Sequence, residues 1–311
     1  MSQPRPIRVG VAGWSYADWN GIVYPRHRAP RFDPLRYLVD FYDTIEVNST
    51  FYRPAHRGMT SSWARRSESN PHFRFTVKLY KAFTHERSAS SSDEKAVKDG
   101  LLPLVEAGKL GAMLLQFPWS FKNESYSRDY LEHLTDRFAD YPLVTEVRHS
   151  SWDRPEFYEY LSDKHIGFCN IDQPRIGRSI GPSQKVTGPV GYIRLHGRNY
   201  KDWFREDAGR DARYDYLYTE SELDPWLDKI SQVAEESAET YVITNNHFRG
   251  KAAVNALQIK AKLASGKVGA PASLVAAYPV LKEFAETTTP ASERDAPNDQ
   301  DALGNQGRLF D

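Results

Sequence analysis

Cysteine is nearly absent: Cys169 is the single one in 311 residues. One cysteine cannot form an intramolecular disulfide, which excludes a secreted disulfide scaffold, and its place in an apolar run reads as a buried core thiol. No apolar stretch reaches the roughly 20 residues that cross a bilayer. Residues 1–6 hold no apolar core of a signal peptide, so a cytoplasmic protein is expected. Neither sign of charge prevails, since 41 Lys and Arg balance 41 Asp and Glu. That argues against bulk electrostatic attachment to nucleic acid and leaves room for a local basic patch. The glycine fingerprint of dinucleotide binding and the HxH and HExxH spacings of metal sites are also missing.

What remains is a regular alternation. Eight β-like runs follow one another: Arg8–Gly13, Thr44–Thr50, Arg74–Tyr80, Ala112–Phe117, Val144–Arg148, Gly167–Ile171, Gly191–His196 and Tyr241–Asn245. Helix-like segments separate most of them, among them Pro34–Tyr42 behind the N-cap Asp33 and Lys251–Ala264 with Ala253, Leu257 and Ala261 at helical spacing. The link Gln173–Gly188 is rich in Gly and Pro and reads as an irregular loop, and Leu274–Ala285 reads as a final helix. Alternating strands and crossovers give the α/β class with a parallel sheet. Eight strands are the number that closes a single-domain (β/α)8 TIM barrel, placed at residues 7–286. A doubly wound open sheet is the alternative. Residues 287–311, dominated by Thr, Pro, Asp, Asn and Gln, are expected to be a disordered tail.

Side chains alternate between the two faces of a strand, and in a barrel the helix-facing side must be apolar. In the third run Phe73, Phe75, Val77 and Leu79 take that side, which turns Thr76 and Lys78 inward. The same split turns Glu46, Asn48, Gln116, Glu146, Arg148, Arg194 and His196 inward, and Asp172, Asn245 and Asn246 end their strands. Most barrels fill this space with branched apolar residues. Charges gathered there are either an internal ion network or a site at the C-terminal face, where barrel enzymes work.

Several motifs support the second reading. They are Gly13-Trp14-Ser15-Tyr16 with Trp19, Glu46-Val47-Asn48-Ser49-Thr50-Phe51-Tyr52-Arg53, and Phe75-Thr76-Val77-Lys78 with Thr84-His85. Leu115-Gln116-Phe117-Pro118, Glu146-Val147-Arg148-His149, Leu195-His196-Gly197-Arg198 and Asn245-Asn246-His247 follow in order. Together they resemble the YecE-like proteins, the family known as domain of unknown function 72, over about residues 8 to 265. The resemblance implies a (β/α)8 fold and marks positions, without supplying a reaction.

Two carboxylates across a barrel mouth, Glu46 and Glu146, are the expected acid and base, with Lys78 and His196 assisting. The alternative for both is salt bridging to Lys78 and Arg148. Arg148, Arg194 and Arg198 with Asn245, Asn246 and His247 suit an anion, because a guanidinium grips phosphate or carboxylate in a fork. Trp14, Asn48, Gln116 and Asp172 complete the expected substrate contacts, and the loop aromatics Tyr16, Trp19, Phe51, Tyr52, Trp119, Trp152 and Trp203 offer stacking surfaces. No cofactor is expected. His85, His149, His196 and His247 with the nearby acids could ligate a divalent metal, against which Lys78, Arg148 and Arg194 would act. The expected function is a hydrolase or lyase using general acid–base chemistry on a phosphate- or carboxylate-bearing substrate, nucleotides and nucleic acid included.

The chain closes on Gln306-Gly307-Arg308-Leu309-Phe310-Asp311. This resembles the Gln-x-x-Leu-Phe peptide by which bacterial replication and repair proteins dock on the DNA sliding clamp. Gln306, Leu309 and Phe310 are the expected contacts. The alternative function is therefore a non-catalytic nucleotide- or nucleic-acid-binding module recruited to that clamp.

Overall fold

The computed structural model describes residues 5–200 and 210–290. Eight strands form the centre: β1 (Ile7–Ala12), β2 (Thr44–Val47), β3 (Arg74–Lys78), β4 (Leu110–Gln116), β5 (Leu143–Glu146), β6 (Gly167–Asp172), β7 (Val190–Leu195) and β8 (Glu239–Thr244). They close in chain order, every neighbour parallel, with β8 returning to β1 through pairs such as Val11 with Thr244. This is the expected barrel, each strand within a few residues of its sequence reading.

The helices are α1 (Pro34–Val39), α2 (Ser49–Tyr52), α3 (Arg57–Arg66), α4 (Lys81–Thr84), α5 (Ser91–Glu106), α6 (Ser125–Arg137), α7 (Pro155–Asp163), α8 (Glu220–Glu236), α9 (Lys251–Leu263) and α10 (Ala272–Ala277). Their starts are set by local chemistry. The Asp33 carboxylate accepts the Leu35 and Arg36 amides ahead of α1, and a Ser90–Asp93 capping box opens α5. Gln173–Gly188 contains no helix, as its Gly and Pro content foretold. None of the described helices is long and apolar enough to cross a membrane.

Two local expectations fail. The run from Thr44 to Thr50 ends as strand at Val47, and Ser49–Tyr52 turns into α2, which brings Phe51 and Tyr52 over the barrel mouth. The final helix stops at Ala277, because Pro279 removes an amide donor and Tyr278 before it leaves helical backbone (φ −128°, ψ 83°). Beyond it β10 (Ala285–Thr287) pairs in parallel with β9 (Val268–Ala270).

The helix-facing side of the barrel is the apolar core: Ile45, Phe73, Phe75, Val77, Leu115, Ile193 and Leu195 are each at most 1 % exposed. The interior mixes polar and charged side chains with apolar ones. At its lower end Gly111 on β4 leaves room for Tyr241, since a Cβ there would lie 2.1 Å from the Tyr241 hydroxyl. At the upper end stand the charges that the strand alternation turned inward.

Candidate functional site

β2, β5 and β7 each deliver one charged side chain to the barrel axis. Arg194 donates from Nη2 to Glu46 Oε1 at 2.7 Å and from Nη1 to Glu146 Oε2. All three side chains are at most 1 % exposed. Tyr192, two residues before Arg194 on the same face, donates to the second Glu46 oxygen at 2.9 Å, and its hydroxyl lies 2.8 Å from Thr76 Oγ1. Arg148 places Nε and Nη2 both 2.9 Å from Glu146 Oε1. His196 lies beside this pair, its Nε2 3.8 Å from Glu146 Oε1 and its Nδ1 3.0 Å from Asn245 Nδ2.

Burial alone would raise the Glu146 pKa, but Arg194 and Arg148 overcome it and hold the carboxyl well below its usual range. His196 is driven the other way by burial and by the Arg194 charge, far below 6.5, so it stays neutral. Cys169 sits underneath with its Sγ 3.8 Å from Glu146; burial and that carboxylate push its thiol pKa up, so it is an inert core thiol as expected.

Above this layer opens a pocket of about 470 Å³, lined by the segments after β1, β2, β3, β5, β7 and β8 and by residues of β2, β3, β4 and β7. Trp14, Asn48, Lys78, Gln116, Arg148, Arg194, Asn245 and His247, all expected at a site, line it together. Among the described residues three of the lining ones are Lys or Arg and none is Asp or Glu. The two glutamates beneath offset the two arginines, which leaves Lys78 as the surplus cation among these described side chains. Its Nζ lies 4.5 Å from the Phe51 ring centroid. Burial, then the Arg194 charge, lowers its pKa from 10.5 to about 8.

Aromatic side chains wall the pocket. His247 stacks on Tyr16, centroids 4.4 Å apart at 10°, and meets Tyr214 at 4.9 Å. His85 meets the Phe51 edge at 4.8 Å, and burial together with the Lys78 and Arg148 charges takes its pKa down to about 4. Gly13 at φ +79° lets the chain turn here, and a Cβ on it would lie 2.7 Å from the Tyr16 hydroxyl.

The model of the family described as "Protein of unknown function DUF72" matches residues 8–276. The chain belongs to the DUF72 family. It is similar to the UPF0759 protein YunF of Bacillus subtilis (strain 168), 29% identical over 268 residues, 81% of this chain and 93% of that one. Among solved structures, a DUF72 family protein from Thermotoga maritima MSB8 is 35% identical with a TM-score of 0.73, covering 83% of this chain and 99% of that one. One from Enterococcus faecalis V583 is 26% identical with a TM-score of 0.73, covering 83% and 95%.

Within this DUF72 barrel several expected site residues take other places. Glu46, Glu146 and His196 lie beneath the pocket, fully buried, with both carboxylates paired to Arg194 in an ion network. Asp172 points to the helix side of β6. It accepts Trp226 Nε1 of α8 at 2.9 Å and the Arg198 guanidinium at 2.7 Å, so Arg198 is also turned from the pocket. The reason is parity: Cys169 faces inward, which turns Asn170 and Asp172 outward. Asn246 follows inward Asn245 and reaches Tyr216 O at 2.7 Å and Asn255 Oδ1 at 2.8 Å.

Among the described residues no group of three His, Cys, Asp or Glu is placed to hold a metal ion. Trp203, Gln306, Leu309 and Phe310 lie outside the described residues, and the clamp expectation with them.

Proposed function

We propose that this pocket binds a small anionic substrate, a phosphate- or carboxylate-bearing molecule, and that the protein is an enzyme of hydrolase or lyase type whose proton-transferring group is Lys78. The observation that carries the reading is the lining itself, which among the described residues holds three cations, three side-chain amides (Asn48, Gln116 and Asn245) and no carboxylate. Such a set attracts an anion and satisfies it with donors. A volume of about 470 Å³ suits a metabolite-sized molecule.

Lys78 replaces the glutamate pair in this mechanism. A general acid carboxyl needs a raised pKa in an apolar site; Glu146 is held in the opposite direction by two guanidinium groups. A lysine with a pKa of about 8 changes protonation near working pH, as an acid–base catalyst must. Arg148 keeps its Nη1 for the ligand, because Nε and Nη2 share one glutamate oxygen.

Inorganic phosphate is the simplest probe. A ligand that binds only the folded state raises the melting temperature, by about 2.7 kcal/mol of stabilisation at a hundredfold excess over Kd. The wild type is expected to show that shift and Arg148→Gln to lose most of it. No shift with phosphate, small carboxylates, sugar phosphates or nucleotides would overturn the anion reading.

A further inference from the structure

We infer that Lys78 takes its substrate covalently, as an imine formed with a carbonyl carbon on a small phosphate- or carboxylate-bearing molecule. The inference rests on the anion-binding reading and adds to it the functional group that the amine attacks.

Three features of the pocket set this chemistry apart from simple charge pairing. First, Lys78 is the last residue of β3 and lines the pocket, so its amine is presented to whatever the pocket holds. Second, a lysine kept as a permanent cation normally faces a carboxylate. Here no carboxylate among the described residues lines the cavity, and Glu46 and Glu146 are both engaged by Arg194, Glu146 by Arg148 as well. The Phe51 ring lies 4.5 Å from Nζ, and an aromatic face, unlike a carboxylate, does not hold the amine's proton in place. Burial and two nearby guanidinium charges bring its pKa to about 8, so the neutral, nucleophilic form is readily reached. Third, two imidazoles border the same pocket: His85, packed on the Phe51 ring and neutral at physiological pH, and His247, stacked on Tyr16. The proton transfer proposed for Lys78 belongs to the same chemistry, because its amine gives up its own protons as it attacks carbon.

The step balances without any further reagent. The nitrogen lone pair adds to the carbonyl carbon and breaks the C=O π bond. Both amine protons pass to the former carbonyl oxygen, which departs as water while the C=N bond forms. Nothing is oxidised or reduced. The arginine that keeps a free donor, Arg148, would hold the anionic end of the same molecule, converting a collision into an intramolecular reaction.

Pyridoxal 5′-phosphate is a suitable probe because it joins an aldehyde to a phosphate. The full-length protein is incubated with a limiting amount, reduced with sodium borohydride to fix any imine as a secondary amine, digested and mapped by mass spectrometry. The expected result is an adduct on Lys78 at reagent levels that leave the exposed Lys95 and Lys267 unlabelled. Excess inorganic phosphate should suppress that adduct, and Lys78→Arg should lose it. Mapping the wild type alone decides the matter even if the variant folds poorly. Adducts on Lys95 and Lys267 with Lys78 unlabelled would overturn the inference. If inorganic phosphate still raises the melting temperature in that case, the imine alone fails. If phosphate neither stabilises nor protects, the anion reading fails with it.

Discussion

Glu146→Gln is expected to lose about 3–5 kcal/mol of folding stability, because it leaves the Arg194 charge buried with half of its compensation removed. The change is nearly isosteric, so the loss reports charge and not volume. Arg194 and both glutamates are at most 1 % exposed, which keeps water from taking over the role of the missing carboxylate. A chemical denaturation curve at pH 7 measures it, and a loss below 1 kcal/mol on the same scale would show the network to be slack.

The same layer fixes the response of the wild type to acid. The folded-state pKa of Glu146 lies below its ordinary 4.5, so its contribution is complete above that pH and is lost as the pH falls further. His196 begins the decline earlier. It stays neutral in the folded protein while the unfolded chain takes up a proton below about 6.5, so stability drops from that point downward.

Lys78→Met should behave in the opposite way. It is expected to raise stability at pH 7 by about 1–3 kcal/mol while weakening phosphate binding tenfold or more. The sign follows from the lowered pKa. Up to about pH 8 the folded protein holds the lysine proton against the burial penalty, and the unfolded chain holds it freely. That penalty fades as the pH rises from 8 through the ordinary lysine value. The advantage of the variant should therefore shrink between pH 7 and pH 10, as thermal melts across that range would record. A residue kept at a cost to stability, and lost with a gain in stability and a loss of binding, has the signature of a functional position.

Much of this was legible before the structure. The eight strands were, because apolar and polar residues alternate along β3 and β7 with a period of two, and parity then assigns Lys78, Arg194 and His196 to the interior. Tyr192 could have been added by stepping the same face back by two residues. β6 could not be read this way: Phe168, Cys169 and Ile171 put apolar side chains on both faces, so only the partners of Asp172, Trp226 and Arg198, reveal which way it points. The pairing within the interior was beyond the sequence as well. Charge composition allowed a network or an open site, and the barrel contains both, one stacked on the other. Nor does a pattern announce Tyr214 or the α2 turn that carries Phe51, since contacts there depend on loop geometry.

The central claim is that Lys78 is a desolvated surplus cation in an anion-binding pocket. Its most direct test is a titration of the Lys78 side chain by NMR, using isotope-labelled lysine assigned with Lys78→Arg, first alone and then with saturating inorganic phosphate. The account predicts a midpoint near 8 that moves upward when phosphate binds, because a bound anion stabilises the ammonium form. A midpoint near the ordinary lysine value of about 10.4, unmoved by phosphate, would contradict it.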